Sequence, residues 1–91
     1  MARLNDEEIG ARLSRLRGWE LRGDEIQKRY AFPSFAKAIE FVNRVASLAE
    51  AANHHPDILV EYDKVTLTLS THDAGGLTEH DFGLAAAVDA S

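Results

Sequence analysis

The sequence predicts an α+β fold of order α-β-β-α-β-β-α, with a four-stranded antiparallel sheet and helices packed on one face. Three observations predict it. Two regions each contain a pair of short apolar runs around polar turn residues, the mark of a hairpin. A long segment between them carries apolar residues at three- and four-residue steps, the period of a helix. The segments near both ends open with cap-and-staple patterns, which mark helix starts.

From the N-terminus, Leu4-Asn5-Asp6-Glu7-Glu8-Ile9 predicts a helix with Asn5 as cap, Glu8 reaching back to it and Leu4 stapled to Ile9. Ile9, Leu13 and Leu16 continue at helical spacing, and Gly18 is the expected stop. Trp19 to Leu21 and Ile26 to Phe32 flank Arg22-Gly23-Asp24-Glu25, a predicted hairpin. After Pro33, Ser34 caps a long helix whose Phe35, Ala38, Ile39, Val42, Val45, Ala46 and Ala49 form the expected core stripe. A second row on that helix, Phe41, Val45, Leu48 and Ala52, exceeds what one sheet needs to cover, which predicts deeper core or a subunit contact.

Ile58, Val60 and Tyr62, then Val65, Leu67 and Leu69, alternate with period two around Asp63-Lys64 and predict a second hairpin. With Asp63 and Lys64 as its loop, Tyr62 faces Val65, Val60 faces Leu67 and Ile58 faces Leu69, apolar against apolar. Finally Leu77-Thr78-x-x-Asp81-Phe82 repeats the cap-and-staple pattern, and an alanine-rich helix follows.

A chain of 91 residues is expected to form a single domain, 1–91, too small for a large internal cofactor cavity. A site is therefore expected at a surface cleft. There is no cysteine, which removes disulfides, thiolate zinc sites and thiol catalysis. No apolar leader or membrane-length run is present, so the expectation is a cytoplasmic protein without a membrane partner.

The net charge of -5 is unevenly spread: residues 46–91 hold eight acidic side chains and one basic one, Lys64, and all four histidines. That half is a poor surface for phosphate backbones, so no nucleic-acid partner is expected. The arginines at 12, 15, 17, 22 and 29 read as a solvated face balanced by glutamates.

The chemistry-bearing stretch is Glu50-x-x-x-His54-His55-Pro56-Asp57 together with Thr71-His72-Asp73. Proline pushes the preceding residue out of the helical region, so the long helix should end near His54 with His55 extended. The two neighbouring rings can then point in different directions around one cleft. Carried beyond the strand ends, the predicted hairpin register sets His55 opposite His72. Gly75-Gly76 then turns the chain sharply into the last helix. Imidazoles titrate near neutrality and suit proton transfer. Zinc also accepts three histidines with an open position, but no helical His-x-x-x-His spacing is present. Glu50, Asp57 and Asp73 can orient the rings as readily as bind metal. His80, inside the first turn of the last helix, reads as a surface residue.

The pattern Glu50, His54-His55-Pro56, Tyr62, His72 and Asp81, with Thr71-His72-Asp73-Ala74-Gly75-Gly76-Leu77, resembles the signature of the pterin-4a-carbinolamine dehydratases. The similarity runs from Trp19 to Asp81 in the same element order. It implies dehydration of 4a-hydroxytetrahydropterin to quinonoid dihydropterin, in recycling the cofactor of aromatic amino-acid hydroxylases. The resemblance makes His54 and His72 the acid–base pair, with His55 holding the substrate. Glu50 and Asp73 are candidates to orient the rings or contact the pterin's amino-pyrimidine edge, and Pro56 and Asp81 join them in the substrate site; the resemblance supports Glu50 and Asp81 more than Asp73. It implies no metal and no cofactor, self-association as dimer or tetramer, and a hydroxylase as pathway partner. Ile58, where an aromatic residue often follows the proline, and His80, in place of an arginine, depart from animal members. The alternatives are a non-catalytic protein-binding or assembly module of the same fold and a three-histidine metal protein. A binding module has no need to keep Glu50, His54, His55 and His72 together.

Overall fold

The computed structural model describes residues 2–91; Met1, the first residue of the expected domain, lies outside the described residues. Eight elements follow in chain order: α1 (Asp6–Leu13), β1 (Glu20–Arg22), β2 (Glu25–Ala31), α2 (Phe35–Ala52), β3 (Asp57–Glu61), β4 (Lys64–Leu69), a short 3-10 turn (His72–Ala74) and α3 (Glu79–Ala90). The expected α-β-β-α-β-β-α order is present, and the four strands form one antiparallel sheet in the order β1-β2-β4-β3.

Both terminal helices start as their local patterns dictate. The Asn5 side chain accepts from the Glu8 N–H while Glu8 reaches back to the Asn5 N–H, satisfying two otherwise unpaired amides. Thr78 and Asp81 build the same reciprocal cap on α3. Ser34 caps α2 by accepting from Lys37 N–H. The first helix ends at Leu13, earlier than Gly18, because Ser14 and the following residues tighten into turns; Gly18, at φ 80°, closes that segment.

The core lies between one sheet face and the helices. Ile26 of β2 and Val65, Leu67 and Leu69 of β4 are essentially inaccessible and pack with Ala38, Phe41, Val45 and Ala49 of α2 and Leu84, Ala85 and Val88 of α3. One expectation for α2 changes. Phe35 is about half exposed and Ala46 is exposed, so the core stripe is rotated toward Phe41. Of the two alternatives for the second row, the structure places Phe41 and Val45 in the core of the monomer, with Leu48 partly buried against it and Ala52 exposed. The helix must satisfy both the sheet and α3, and the stripe 38/41/45/49 is the one that meets both.

The register of the second hairpin is also corrected. Its loop is Tyr62-Asp63, with Tyr62 at φ 54°, and Lys64 belongs to β4. Ile58 pairs with Leu67 and Val60 with Val65. The shift is two residues, so each side chain keeps its face and the apolar pattern cannot distinguish the two registers. The neighbouring strand decides: Lys64 is laddered to Ala31, and Phe32 N–H donates to the Asp63 carbonyl at 2.9 Å.

One carboxylate ties the helix layer to the sheet. Asp89, in the last turn of α3, accepts from Trp19 Nε1 at 2.9 Å, Lys28 Nζ at 3.0 Å and Tyr30 OH at 2.6 Å. Burial opposes its ionisation, but hydrogen bonds from Tyr30, Lys28 and Trp19 outweigh that and hold its carboxyl below the usual range. Burial, reinforced by Asp89, pushes the Tyr30 phenol upward, so it stays a donor.

Candidate active site

The end of α2 sets the histidines. Asn53 adopts the left-handed conformation (φ 50°, ψ 42°), which asparagine tolerates better than most residues. Its N–H bonds to the Glu50 carbonyl and the His54 N–H to the Ala49 carbonyl, the paired bonds of a Schellman stop. The helix thus ends at Ala52 with Asn53 as its cap, just before His54, and Pro56 keeps the chain extended into β3. The two adjacent imidazoles diverge. His54 turns inward, with 13% of its side chain exposed, and its Nε2 lies 2.5 Å from Asp81 Oδ1. His55 turns outward and pairs through Nε2 with Glu50 Oε2, on side chains that are both largely exposed.

His72 arrives from the other strand end. In the observed register an extension of β3 sets His55 level with Ser70, so the expected pairing of His55 with His72 across the hairpin does not occur. Instead Thr71 and Gly76 bridge their backbones, and residues 72–74 fold as the 3-10 turn above them. Gly75, at φ 73°, makes that return feasible. The turn brings His72 and Asp73 to the same depression as Asn53, His54, His55 and Thr71, a volume of about 240 Å³. A contiguous depression of about 270 Å³ shares Asn53, His54, Thr71 and Asp73 and adds His80.

The expected site residues therefore separate into three groups. His54, His55, His72 and Asp73 converge on the depression. Glu50 reaches it through His55, and Pro56 shapes the backbone without lining it. Asp81 is fully buried beneath His54, and its oxygens are taken by His54, Thr71 and the Thr78 N–H. Its oxygens are thus occupied inside the protein, and its contact with the lining of the depression runs through His54 and Thr71.

His80 was expected to be remote, yet its ring centroid lies 5.6 Å from that of His54. It immediately precedes Asp81 in the chain and lines the same opening as His54, because the first turn of α3 is docked against the end of α2. Thr71 and Thr78 were not singled out from sequence. The signal was present, since Thr78-x-x-Asp81 is a capping box, but nothing local shows that its carboxylate also faces an imidazole.

A larger depression, about 700 Å³, lies at the opposite end of α3 among Arg15, Arg17, Arg44 and the Tyr30 and Phe41 rings. It contains no histidine. Of the five arginines expected to face solvent, Arg12 and Arg22 pair with Glu79 and Glu20, and Arg15 and Arg17 border this cavity. Among the described residues, no group of three or more His, Asp or Glu side chains is placed to hold a metal ion. Among the described residues, no helix is long and apolar enough to cross a membrane.

Fold and site together define a small α+β protein with an open imidazole cleft backed by carboxylates. Residues 2–91 match the family model described as pterin 4 alpha carbinolamine dehydratase. A provisionally named pterin-4-alpha-carbinolamine dehydratase of Roseiflexus castenholzii is 61% identical, over 97% of this chain and 95% of that one. The corresponding protein of Thermomicrobium roseum, also provisionally named, is 53% identical over 93% and 91%. The crystal structure of a transcriptional coactivator/pterin dehydratase from Brucella melitensis matches with a TM-score of 0.92 at 34% identity, covering 97% of this chain and 96% of that one. A pterin dehydratase-like protein identified as a RuBisCO assembly factor in the alpha-carboxysome matches with a TM-score of 0.64 at 32% identity, over 79% and 83%. The chain belongs to the pterin-4-alpha-carbinolamine dehydratase family.

Proposed function

We propose that this protein dehydrates 4a-hydroxytetrahydropterin to quinonoid dihydropterin in the cytoplasm, serving the recycling of a hydroxylase's pterin. The observation that carries the reading is the convergence of His54, His55 and His72 on one depression beside Asp73. Loss of water from a carbinolamine needs a proton removed from the ring nitrogen and one delivered to the departing oxygen, and imidazoles serve both at neutral pH. His54 and His72 form the acid–base pair, and His55, braced by Glu50, holds the substrate. Asp73, exposed at the rim, offers its carboxylate to the amino-pyrimidine edge. The two contiguous depressions lie just below the usual range of about 300–1,000 Å³ for ligand pockets, which suits a small flat bicycle held open to solvent.

Self-association as a dimer or tetramer belongs to the same reading. Its support is the unpaired edge of β3, where Ile58 and Leu59 are exposed, and not the row on α2. The likeness to an assembly factor supports a second reading, a protein-binding module, which the histidine cleft does not require. A coupled assay with 4a-hydroxytetrahydropterin tests the proposal: turnover above the uncatalysed rate is expected, and its absence in a folded sample overturns the enzyme reading.

A further inference from the structure

We infer that His54 works through Nδ1 as the base of the dehydration, and that Thr71, Thr78 and Asp81 are positioning residues that fix its tautomer. What the base acts on rests on the dehydratase reading; the tautomer does not. With the Thr71 hydroxyl as donor to Asp81, the order of the surrounding hydrogen bonds follows. Thr78 N–H donates to Asp81 Oδ2 at 2.9 Å, and Thr71 Oγ1 donates to the same oxygen at 2.8 Å. With its one proton committed there, Thr71 accepts from Thr78 Oγ1 at 2.8 Å. Thr78 Oγ1 in turn accepts from His80 N–H at 3.3 Å. Asp81 thus accepts from both threonines and donates to neither. Its other oxygen, Oδ1, then takes the proton of His54 Nε2.

The consequence falls on the second ring nitrogen. In a neutral imidazole whose Nε2 carries the proton, Nδ1 holds a lone pair. No protein group engages Nδ1 among the described residues, and no buried side-chain nitrogen or oxygen lacks a partner there, so Nδ1 is open to the surface. His54 lines both contiguous depressions. In the reaction, Nδ1 takes the proton from substrate N5, and the freed pair forms the C4a–N5 double bond as the C4a–O bond breaks. The departing hydroxide takes a proton from a second imidazole and leaves as water. The imidazolium formed at His54 is then met by the Asp81 carboxylate.

Imidazole nitrogen NMR on the full chain without substrate reads the tautomer directly. Neutral His54 is expected as Nε2–H in the wild type, and as a mixture or Nδ1–H in Asp81→Asn and Thr71→Val, with Thr71→Ser restoring the wild-type signature. In the coupled assay kcat is expected to fall roughly 100-fold in Asp81→Asn and roughly tenfold in Thr71→Val, the loss of one hydrogen bond, with KM little changed. If Asp81→Asn does not fold, the two Thr71 variants carry the test. An Nδ1–H tautomer in the wild type, or a Thr71→Val protein unchanged in both tautomer and kcat, overturns the inference. An Nε2–H tautomer in a wild-type chain that dehydrates nothing keeps the positioning network and overturns the role as base, which separates this inference from the functional reading.

Discussion

Replacing Asp89 with asparagine tests whether the helix layer is held to the sheet by one charged side chain. The carboxylate accepts from Trp19, Lys28 and Tyr30 and is only 24% exposed, while Trp19 is 6% exposed and the Lys28 side chain 19%. Asparagine keeps one oxygen, enough for Lys28 and Tyr30, but turns an NH2 group toward the Trp19 N–H. It also removes the charge that offsets Lys28. Hydrogen bonds to charged groups contribute about 1.5–3 kcal/mol each and are not additive. Water reaches the partly exposed carboxylate and can replace some of what is lost, so the net cost is set at about 2–3 kcal/mol. For a domain of this size that lowers the unfolding temperature by roughly 10–20 °C.

The pH dependence distinguishes a charge effect from simple misfit. Asp89 has a folded-state pKa below its unfolded value. Its contribution is therefore fully present above the unfolded value of about 3.9 and is lost as pH falls through the lower folded value. Thermal unfolding of wild type and Asp89→Asn from pH 7 into the acid range should show the gap narrowing. An unchanged unfolding temperature at pH 7, or a gap undiminished in acid, would refute the reasoning. Tyr30→Phe, which removes one of the three donors and leaves the charge pair, should cost less than Asp89→Asn, about 1.5 kcal/mol, the lower end for one hydrogen bond to a charged group.

Four further outcomes follow from the cleft and the sheet edge. His72→Ala should lower kcat by roughly 100-fold in the coupled assay without changing thermal unfolding, since His72 lies in an exposed turn outside the core. His80→Ala, whose ring neighbours His54, should disturb the rate less than His72→Ala but is no silent control. Prolonged treatment with a strong chelator should leave turnover unchanged; a large loss restored by zinc would favour the metal reading. Sedimentation at micromolar concentration should show a species larger than the 10.0 kDa monomer, and a charged substitution at Leu59 on the β3 edge should shift it toward monomer.

What the sequence determined by itself was whatever a few neighbouring residues decide among themselves. Asn5 with Glu8, Ser34 with Lys37 and Thr78 with Asp81 close caps within one turn, so these helix starts are legible without knowing what the helices touch. The period-two runs specify which face of each strand is apolar, and the proline after His55 specifies that the chain leaves the helix there. The motif of Glu50, the histidine pair and His72 was legible as a set of side chains suited to proton transfer. Only the tertiary structure decided how those pieces meet. The β3–β4 loop is settled by β2, because a two-residue slip preserves every face and only the ladder of Lys64 to Ala31 breaks the tie. The core face of α2 is settled by what packs on it across the chain: Phe41 is buried against the Tyr30 and Phe32 rings and Val45 within the same cluster, contacts the periodicity cannot see. Asp81 reads locally as half of a capping box; that its second oxygen meets His54, 27 residues earlier in the chain, depends on docking α3 against the end of α2, a long-range contact with no local signature.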